Sequence, residues 1–229
     1  MKKILVIDVG GTHIKVRANN HRKRIVIPSG SEMTARKMVA DVRAATADWK
    51  YNAISVGYPG PVAHGHPLCE PHNLGSGWVG FNFKKAFGCP VKIINDAAMQ
   101  ALGSYAGGRM LFLGLGTGLG SAMIVDGILE PMELAHLPYK NGRTYEEYLG
   151  LAGLKRMGKK KWRRHVLDVI GQLKTALEVD YVMLGGGNAR LLKKLPHGVK
   201  LGANANAFRG GFRLWAESAR KKFTSQRFR

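Results

Sequence analysis

Two glycine-rich turns constrain this chain more than any other feature. In Met110–Val125, apolar residues lead into and out of four glycines that alternate around Thr117. Ile4–Val16 repeats this form, with Gly-Gly-Thr at its centre. Each segment is typical of two strands joined by a turn whose backbone N–H groups, bare of side chains, can hold an anion. The two turns lie about one hundred residues apart and so predict a duplicated unit that grips one polyanionic ligand.

The order of predicted elements repeats as well. Each half contains a three-stranded meander followed by a helix and a further strand. This repetition predicts an α/β fold of two similar lobes with a cleft between them. We expect a small lobe over 1–95, completed by a C-terminal helix within 207–229, and a large lobe over 96–206. The predicted helices are Glu32–Trp49, Phe81–Phe87, Ala97–Tyr105, Thr144–Leu149, Trp162–Glu178, Asn188–Lys194 and Ala207–Lys222.

Composition limits the class of protein. The 229 residues are 45% hydrophobic, as in a globular chain with a real core. No apolar run approaches the ~20 residues that span a bilayer. The N-terminal apolar run stops at Asp8 without a cleavage site, which favours a strand over a signal peptide. Cys69 and Cys89 form no metal-ligand pattern, so we expect a reduced, cytoplasmic protein.

Charge is the unusual property. Lys and Arg number 36 against 15 for Asp and Glu, a formal net charge of +21. This excess favours a nucleic acid, an acidic membrane or a polyphosphate-like ligand as partner, but it also fits a solubility trait. One segment, called here the basic cluster, packs seven basic residues into ten positions without an acid. It could be a polyphosphate track, a nucleic-acid patch or a solvated face. Its members are Lys155, Arg156, Lys159, Lys160, Lys161, Arg163 and Arg164.

The two turns carry the predicted phosphate chemistry. Hydroxyls within them can donate to phosphate oxygens, and Asp8 is placed to hold Mg²⁺ through water. A single turn of this kind is more often a tight hairpin, but the matching pair favours phosphate binding. The predicted phosphate-binding residues are Asp8, Gly10, Gly11, Thr12, Lys15, Gly116, Thr117 and Gly118.

Asp96 lies between a predicted strand and a predicted helix. Aspartate at such a junction is commonly a plain N-cap. The carboxyl end of a strand is also where α/β proteins bind ligands, and a carboxylate there can take a proton from an attacking hydroxyl. Phosphoryl transfer needs little else from a protein beyond positioning and charge neutralisation.

Two further groups follow the second meander. Glu133, His136 and Glu146, with the amide of Asn73, are suited to a polyhydroxylated ligand, although each alone is more often a surface or cap residue. The segment Gly185-Gly186-Gly187-Asn188 follows a strand and could let a nucleotide base approach the backbone. A tightly packed strand-to-helix turn explains the same glycines.

The ordered set of motifs resembles the ROK family of sugar kinases, and within it the branch that uses polyphosphate. Each motif is weak alone, but together they follow the family's order over nearly the whole chain. They are Asp8–Lys15, Tyr58–Val62, Asn73-Leu74 with Trp78, Ile94–Ala97, Leu115–Ala122, Glu133–His136 and Leu184–Asn188.

The resemblance implies an actin-like/ribonuclease-H-like fold of two lobes. It implies that Asp96 is the base that activates the 6-hydroxyl of a hexose, with glucose the expected sugar. Mg²⁺ and a phosphoryl donor, either ATP or polyphosphate, are implied with it, and a homodimer is suggested. Many members carry a cysteine-rich zinc motif in the region of Leu137–Gly150, which here has no cysteine, so we expect no structural zinc. The implied sugar-binding residues are Asn73, Asn95, Asp96, Glu133, His136 and Glu146.

Two other classes compete with a kinase. A non-catalytic binder of polyanions or nucleic acid, on a degenerate kinase fold, would keep the basic segments and tolerate loss of Asp96. A ribonuclease-H-type nuclease would need about three or four clustered carboxylates for two metals, and acids are scarce here. A sugar kinase explains most of the motifs, and nucleic acid is the less favoured partner. The phosphoryl donor is either ATP or polyphosphate.

Overall fold

Within the part of the chain that the structure describes, the elements form two five-stranded sheets, a two-stranded sheet and six α-helices. A computed structural model describes residues 2–203 and 205–216. The strands are β1 (Ile4–Val9), β2 (His13–Ala18), β3 (Ile25–Pro28), β4 (Ala53–Tyr58), β5 (Val62–Ala63), β6 (His66–Pro67), β7 (Val91–Asn95), β8 (Arg109–Leu115), β9 (Leu119–Val125), β10 (Ile128–Met132), β11 (Tyr181–Gly185) and β12 (Val199–Leu201). The helices are α1 (Ala35–Ala45), α2 (Phe83–Phe87), α3 (Asp96–Ser104), α4 (Tyr145–Leu149), α5 (Leu151–Ala176) and α6 (Asn206–Arg213).

The two large sheets have the same topology. The first has the order β3-β2-β1-β4-β7 and the second the order β10-β9-β8-β11-β12. In both, an antiparallel meander of three strands continues into two parallel strands. The predicted duplicated α/β fold is therefore visible in the strand order itself. The chain divides into two compact units, Met1–Met99 with Ala207–Arg229, and Gln100–Asn206.

The core of the first unit lies on both faces of its sheet. Strand β4 is buried along its whole length, as expected for a parallel strand covered on two sides. One face packs against α1 and the buried Trp78, and the other carries Val6 against Met99 and Phe208. In the second unit α5 supplies Trp162 and its apolar stripe to the sheet. No helix in the described part of the chain is long and apolar enough to cross a membrane.

The structure corrects the sequence prediction for the longest helix. The predicted start at Trp162 placed most of the basic cluster ahead of the helix. Helix α5 instead begins at Leu151, so the basic cluster lies on the helix itself. Gly158, with φ 74° and ψ 160°, breaks the helical backbone inside α5. This break hides the first segment from a periodicity argument, because the apolar stripe does not continue through it.

Other predicted helices are shorter. Helix α1 starts at Ala35 because the Thr34 side chain accepts a hydrogen bond from the Lys37 N–H and caps it. Instead of a helix over Asn188–Lys194, the chain makes a 3₁₀ turn at Ala189–Leu191 and then β12, which was not predicted. The part of the predicted C-terminal helix beyond residue 216 lies outside the described residues.

Candidate functional site

The first glycine turn joins β1 to β2, and a partly buried ion pair lies beside it. Asp8 and Lys15 face each other in the antiparallel register, with Nζ 3.4 Å from Oδ2. The Asp8 side chain is only 14% exposed, whereas that of Lys15 is 45% exposed. Burial raises the pKa of the Asp8 carboxyl, and the neighbouring Lys15 lowers it in part. The turn thus has a partly desolvated carboxylate at its base and a more accessible cation beside it.

Backbone contacts hold this turn in one conformation. The Gly10 N–H donates to the His13 carbonyl at 3.1 Å, and a Cβ on Gly10 would lie 2.8 Å from that oxygen. The Ser29 hydroxyl donates to the Gly10 carbonyl at 2.6 Å. Thr12 remains exposed, with its Oγ1 3.2 Å from His13 Nδ1. Sequence reasoning missed Ser29, because a single serine after a strand carries no recognisable signal.

Asn73 is brought against this turn by the absence of a side chain on Gly11. A Cβ built on Gly11 would lie 3.0 Å from Asn73 Cβ. The loop that carries Asn73 is fixed by Glu70, whose carboxylate accepts from the backbone N–H groups of Trp78 and Val79 at 3.0–3.2 Å. Glu70 was also missed from sequence, because its two backbone donors lie eight and nine residues away.

The helix that follows β7 is capped by Asn95 and not by Asp96. Asn95 Oδ1 accepts from the N–H groups of Ala97 and Ala98 at 2.9 and 3.1 Å, and its Nδ2 donates to the Gly60 carbonyl at 3.1 Å. Both ends of this amide therefore serve the fold. Asp96 is the first residue of α3, where the helix dipole favours a negative charge. Its Oδ1 accepts from the Ala97 N–H at 2.7 Å.

The second glycine turn is held by a carboxylate. Glu146 Oε2 accepts from the Leu119 N–H at 3.0 Å, and a Cβ on Gly118 would overlap that oxygen. The Thr117 carbonyl accepts from the Leu151 N–H at 3.0 Å, which ties the turn to the start of α5. Apart from Gly116 and its two chain neighbours, no described residue has an atom within 4 Å of a Cβ built on Gly116. The turn is thus fixed from one side and open at Gly116.

Glu133 lies close enough to both His136 and Glu146 for its charge to interact with theirs. Glu133 and His136 follow β10 around a 3₁₀ turn, whose Leu134 N–H donates to Ser121 Oγ at 3.1 Å. Partial desolvation raises the pKa of Glu133, His136 lowers it and Glu146 raises it. The structure therefore brings three of the predicted sugar-binding residues together, and one of them contacts the second glycine turn.

The Gly185–Asn188 segment packs on the same turn. Asn188 Nδ2 donates to the Gly116 carbonyl and the Asn188 N–H donates to the Leu115 carbonyl, both at 3.0 Å. A Cβ on Gly186 would overlap the Leu115 carbonyl, so the close approach requires glycine there. Gly187 is exposed and no described atom lies within 4 Å of its built Cβ.

Most of the basic cluster is exposed, but two of its arginines support the fold. Arg163 Nε donates to the Leu191 carbonyl at 2.6 Å, and Arg156 donates to the Glu147 carbonyl at 2.8 Å and covers the Tyr148 ring. The Arg163 contact fastens the 3₁₀ turn at Ala189–Leu191 to α5. The same contact brings a second exposed basic segment close to α5. The sequence pattern did not reveal this proximity. The residues of this second segment are Arg190, Lys193 and Lys194.

No cluster of three or more His, Cys, Asp or Glu suited to a metal ion occurs within residues 2–203 and 205–216. A Mg²⁺ ion held through one carboxylate, waters and substrate phosphates does not need such a cluster. Asp8 offers one carboxylate beside the first glycine turn, so the residues present fit an ion held in that way.

Comparison with known proteins places these features in a family. The family model described as ROK family matches residues 4–131, more than half of the chain. A polyphosphate glucokinase of Mycobacterium tuberculosis strain H37Rv is 29% identical over 213 residues, covering 82% of this chain and 78% of that relative.

Solved structures share the fold. A polyphosphate/ATP-glucomannokinase from Arthrobacter sp. strain KM aligns with a TM-score of 0.78 at 23% identity, covering 92% of this chain and 97% of that one. A ROK family glucokinase from Streptomyces griseus, in complex with glucose and AMPPNP, aligns with a TM-score of 0.74 at 17% identity, covering 93% and 98%. The predicted actin-like/ribonuclease-H-like fold and the predicted resemblance are confirmed. This chain belongs to the ROK family.

Proposed function

We propose that this protein is a hexose kinase that transfers a phosphoryl group to the 6-hydroxyl of glucose, with polyphosphate or ATP as donor. The observation that carries the proposal is the grouping of Glu133, His136 and Glu146 at the second glycine turn. Carboxylates and an imidazole are suited to sugar hydroxyls, and a bare turn is suited to phosphate. The names of the Mycobacterium tuberculosis and Arthrobacter relatives support the same substrates.

Asp96 is assigned the role of general base. Its carboxylate would accept the proton of the 6-hydroxyl as that oxygen attacks the terminal phosphorus of the donor. The oxygen–phosphorus bond to the leaving phosphate then breaks, and the leaving group carries away the electron pair. Asn95 directly precedes Asp96 and caps α3 with its side chain. It therefore fixes the start of the helix on which this base lies.

The other site residues bind and orient. Glu133 would accept hydrogen bonds from sugar hydroxyls when ionised, and His136 and Asn73 can both donate and accept. Glu146 chiefly holds the second turn through Leu119. The exposed Thr12 and Thr117 would donate to phosphate oxygens.

The first turn also fits a divalent cation. Asp8 would hold Mg²⁺ through water and Lys15 would lie near the same phosphates. Bound there, the ion would neutralise charge on the transferred phosphoryl group.

Two donors are proposed because different residues favour each. Lys159, Lys160, Lys161 and Arg164 are exposed on α5 and would bind a linear polyphosphate, with the basic segment Arg190–Lys194 beside them. The Gly185–Asn188 segment lies against the second turn, where ATP would place its phosphates, and the exposed Gly187 leaves room for the base.

The direct test is a substrate matrix on the wild type and Asp96→Asn. Glucose, mannose and N-acetylated hexoses are each paired with ATP and with polyphosphate in the presence of Mg²⁺. We expect glucose 6-phosphate with at least one donor, and a fall in kcat of roughly 10²–10⁴ for Asp96→Asn with little change in sugar binding. Phosphorylation of none of the sugars would exclude the kinase and favour the non-catalytic polyanion binder. Full activity of Asp96→Asn would exclude its role as base.

The salt dependence of the KM distinguishes the two donors. Binding of a linear polyanion releases counterions and weakens steeply as salt rises, whereas a compact nucleotide makes fewer charge contacts. We expect the KM for polyphosphate to rise several-fold more than the KM for ATP between low and moderate salt. An equal rise for both donors would contradict the polyphosphate track on α5.

A further inference from the structure

A second concentration of positive charge lies at the end of strand β1 opposite to the first glycine turn. Three loops of the first unit meet at the edge of the sheet where β1 begins. They are the residues before β1, the connection between β2 and β3, and the segment before β4. The antiparallel register Leu5–Ala18 and the parallel register Ile4–Ala53 bring them to one edge.

Hydrogen bonds from three asparagines tie these loops into one surface. Asn19 accepts from the Ile4 N–H at 3.0 Å and donates to the Lys2 carbonyl at 2.9 Å. Asn20 Nδ2 donates to the Lys50 carbonyl at 3.1 Å. The Lys3 N–H donates to Asn52 Oδ1 at 3.0 Å.

Five exposed cations project from the joined loops. We call them the basic edge: Lys3, Arg22, Lys23, Arg24 and Lys50. In the described part of the chain none of the five forms an ion pair. The acid closest to them in sequence is Asp48, one carboxylate against five cations. Like charges held together without partners cost free energy, so a polyanion that neutralises them would be bound.

Two aromatic residues of this edge, His21 and Trp49, are paired with each other. The rings of His21 and Trp49 stack at 4.5 Å between centroids and 10° between planes. This stack fastens the β2–β3 connection to the segment that follows α1. Rings that stack on each other offer less surface to nucleic-acid bases, which single-strand binders usually stack on aromatic side chains. The edge is therefore better suited to a polyanion without bases.

The basic edge cannot reach the reacting phosphate. The first glycine turn lies at the other end of β1, six residues away, or roughly 20 Å along an extended strand. A ligand at this edge would be held by charge alone, away from Asp8 and Asp96.

We propose that the basic edge anchors an internal stretch of a polyphosphate chain whose end reacts elsewhere on the protein. This inference rests on the proposed use of polyphosphate as donor. The anchor raises the affinity for long chains through extra phosphate contacts and leaves the chemical step unchanged. ATP and tripolyphosphate are too short to gain from it.

The test replaces Arg22, Lys23 and Arg24 together by Gln and measures binding of long-chain polyphosphate by calorimetry at low salt, without sugar. The matched control replaces Arg36, Lys84 and Lys85 by Gln, since these three cations are exposed on α1 and α2 of the same unit. We expect the Kd of the edge variant for long chains to rise on the order of tenfold and that of the control to change much less. Binding of tripolyphosphate should be unchanged in both.

Kinetics give a second readout. With polyphosphate as donor, the edge variant should show a raised KM for long chains and an unchanged kcat, and its KM for ATP should equal that of the wild type. Equal weakening in the control variant would overturn the proposal, because net charge alone would then explain it. The proposal would also be overturned if the edge variant lost binding to single-stranded RNA but kept its binding to polyphosphate. If polyphosphate binds as expected but donates no phosphoryl group, the anchor stands and the proposed donor fails.

Discussion

Two glycines of the second turn look alike in sequence but are required for different reasons. A side chain on Gly118 would overlap the Glu146 carboxylate, which accepts from the Leu119 N–H. A side chain on Gly116 would meet no described atom within 4 Å. Gly118 is thus a packing requirement, and Gly116 is free to serve a ligand.

We expect Gly118→Ala to lower the free energy of unfolding by about 1–3 kcal/mol, because Glu146 must leave its backbone donor. Gly116→Ala should change stability by less than about 0.5 kcal/mol and instead raise the KM for the phosphoryl donor. Urea unfolding and steady-state kinetics measure the two effects. Equal destabilisation by both variants would contradict the packing assigned to Glu146.

The raised pKa of Glu133 predicts a pH dependence. An ionised Glu133 accepts from sugar hydroxyls, so the KM for sugar should rise as the pH falls through its raised pKa. Because the Glu146 charge contributes to raising that pKa, Glu146→Gln should move the rise in KM to lower pH. Glu133→Gln should weaken sugar binding at every pH and remove the pH-dependent limb. A limb that stays in place in Glu146→Gln would show that the two carboxylates do not interact.

At the scale of elements, a polar network fastens the loop after the 3₁₀ turn of His136 to α5. The Tyr139 hydroxyl donates to Asp168 at 2.5 Å and lies 3.0 Å from His165 Nδ1. Lys140 Nζ donates to the same carboxylate at 2.8 Å. These bonds, that from Lys140 first, lower the pKa of Asp168 from 3.8 to about 2.

Asp168→Asn should lower the free energy of unfolding by about 0.5–1 kcal/mol at neutral pH, a modest value because the side chain is 41% exposed. A depressed carboxyl pKa stabilises the fold above the unfolded pKa. The difference between variant and wild type should therefore be full above pH 3.8 and disappear as the pH falls toward 2. Urea unfolding across this range measures it, with the exposed Thr175→Ala on the same helix as control. A pH-independent difference would exclude the ionised carboxylate as the cause.

At the scale of the whole molecule, helix α6 near the C-terminus belongs to the same compact unit as the N-terminal strand β1. Helix α6 packs on β1 at Gly211, where a Cβ would overlap the Val6 side chain. The buried Ser55 hydroxyl donates to the Gly211 carbonyl at 2.6 Å and accepts from Trp215 Nε1 at 2.9 Å. Residues more than 150 positions apart thereby complete one core.

Gly211→Val should force α6 away from β1 and destabilise the protein by about 1–3 kcal/mol. Arg209→Ala, at an exposed position of the same helix, should stay within about 0.5 kcal/mol of the wild type. Thermal unfolding compares the two, and the environment of Trp215 is followed by fluorescence. Similar stability of both variants would show that α6 does not depend on close contact with Val6.

Local patterns in the sequence determined the repeated architecture of this protein. Alternating glycines between apolar runs depend on the geometry of neighbouring residues, so they can be recognised in the sequence. Because the pattern occurs twice, it predicted two sheets with the same topology. The ordered motifs also indicated the family, because glycine, threonine and carboxylate at fixed short spacings are constrained by the chain itself.

Only the tertiary structure decided how particular residues are used. Asn95, and not Asp96, caps α3, since the Gly60 carbonyl from another loop orients its amide. Arg163 supports a 3₁₀ turn 28 residues away and does not simply add to the exposed charge of α5. Such partners come from distant parts of the chain, so spacing along the sequence carries no signal of them. The glycine turns were visible from sequence. The sequence did not show that the Glu146 carboxylate binds the Leu119 N–H and fills the space beside Gly118, while Gly116 stays open.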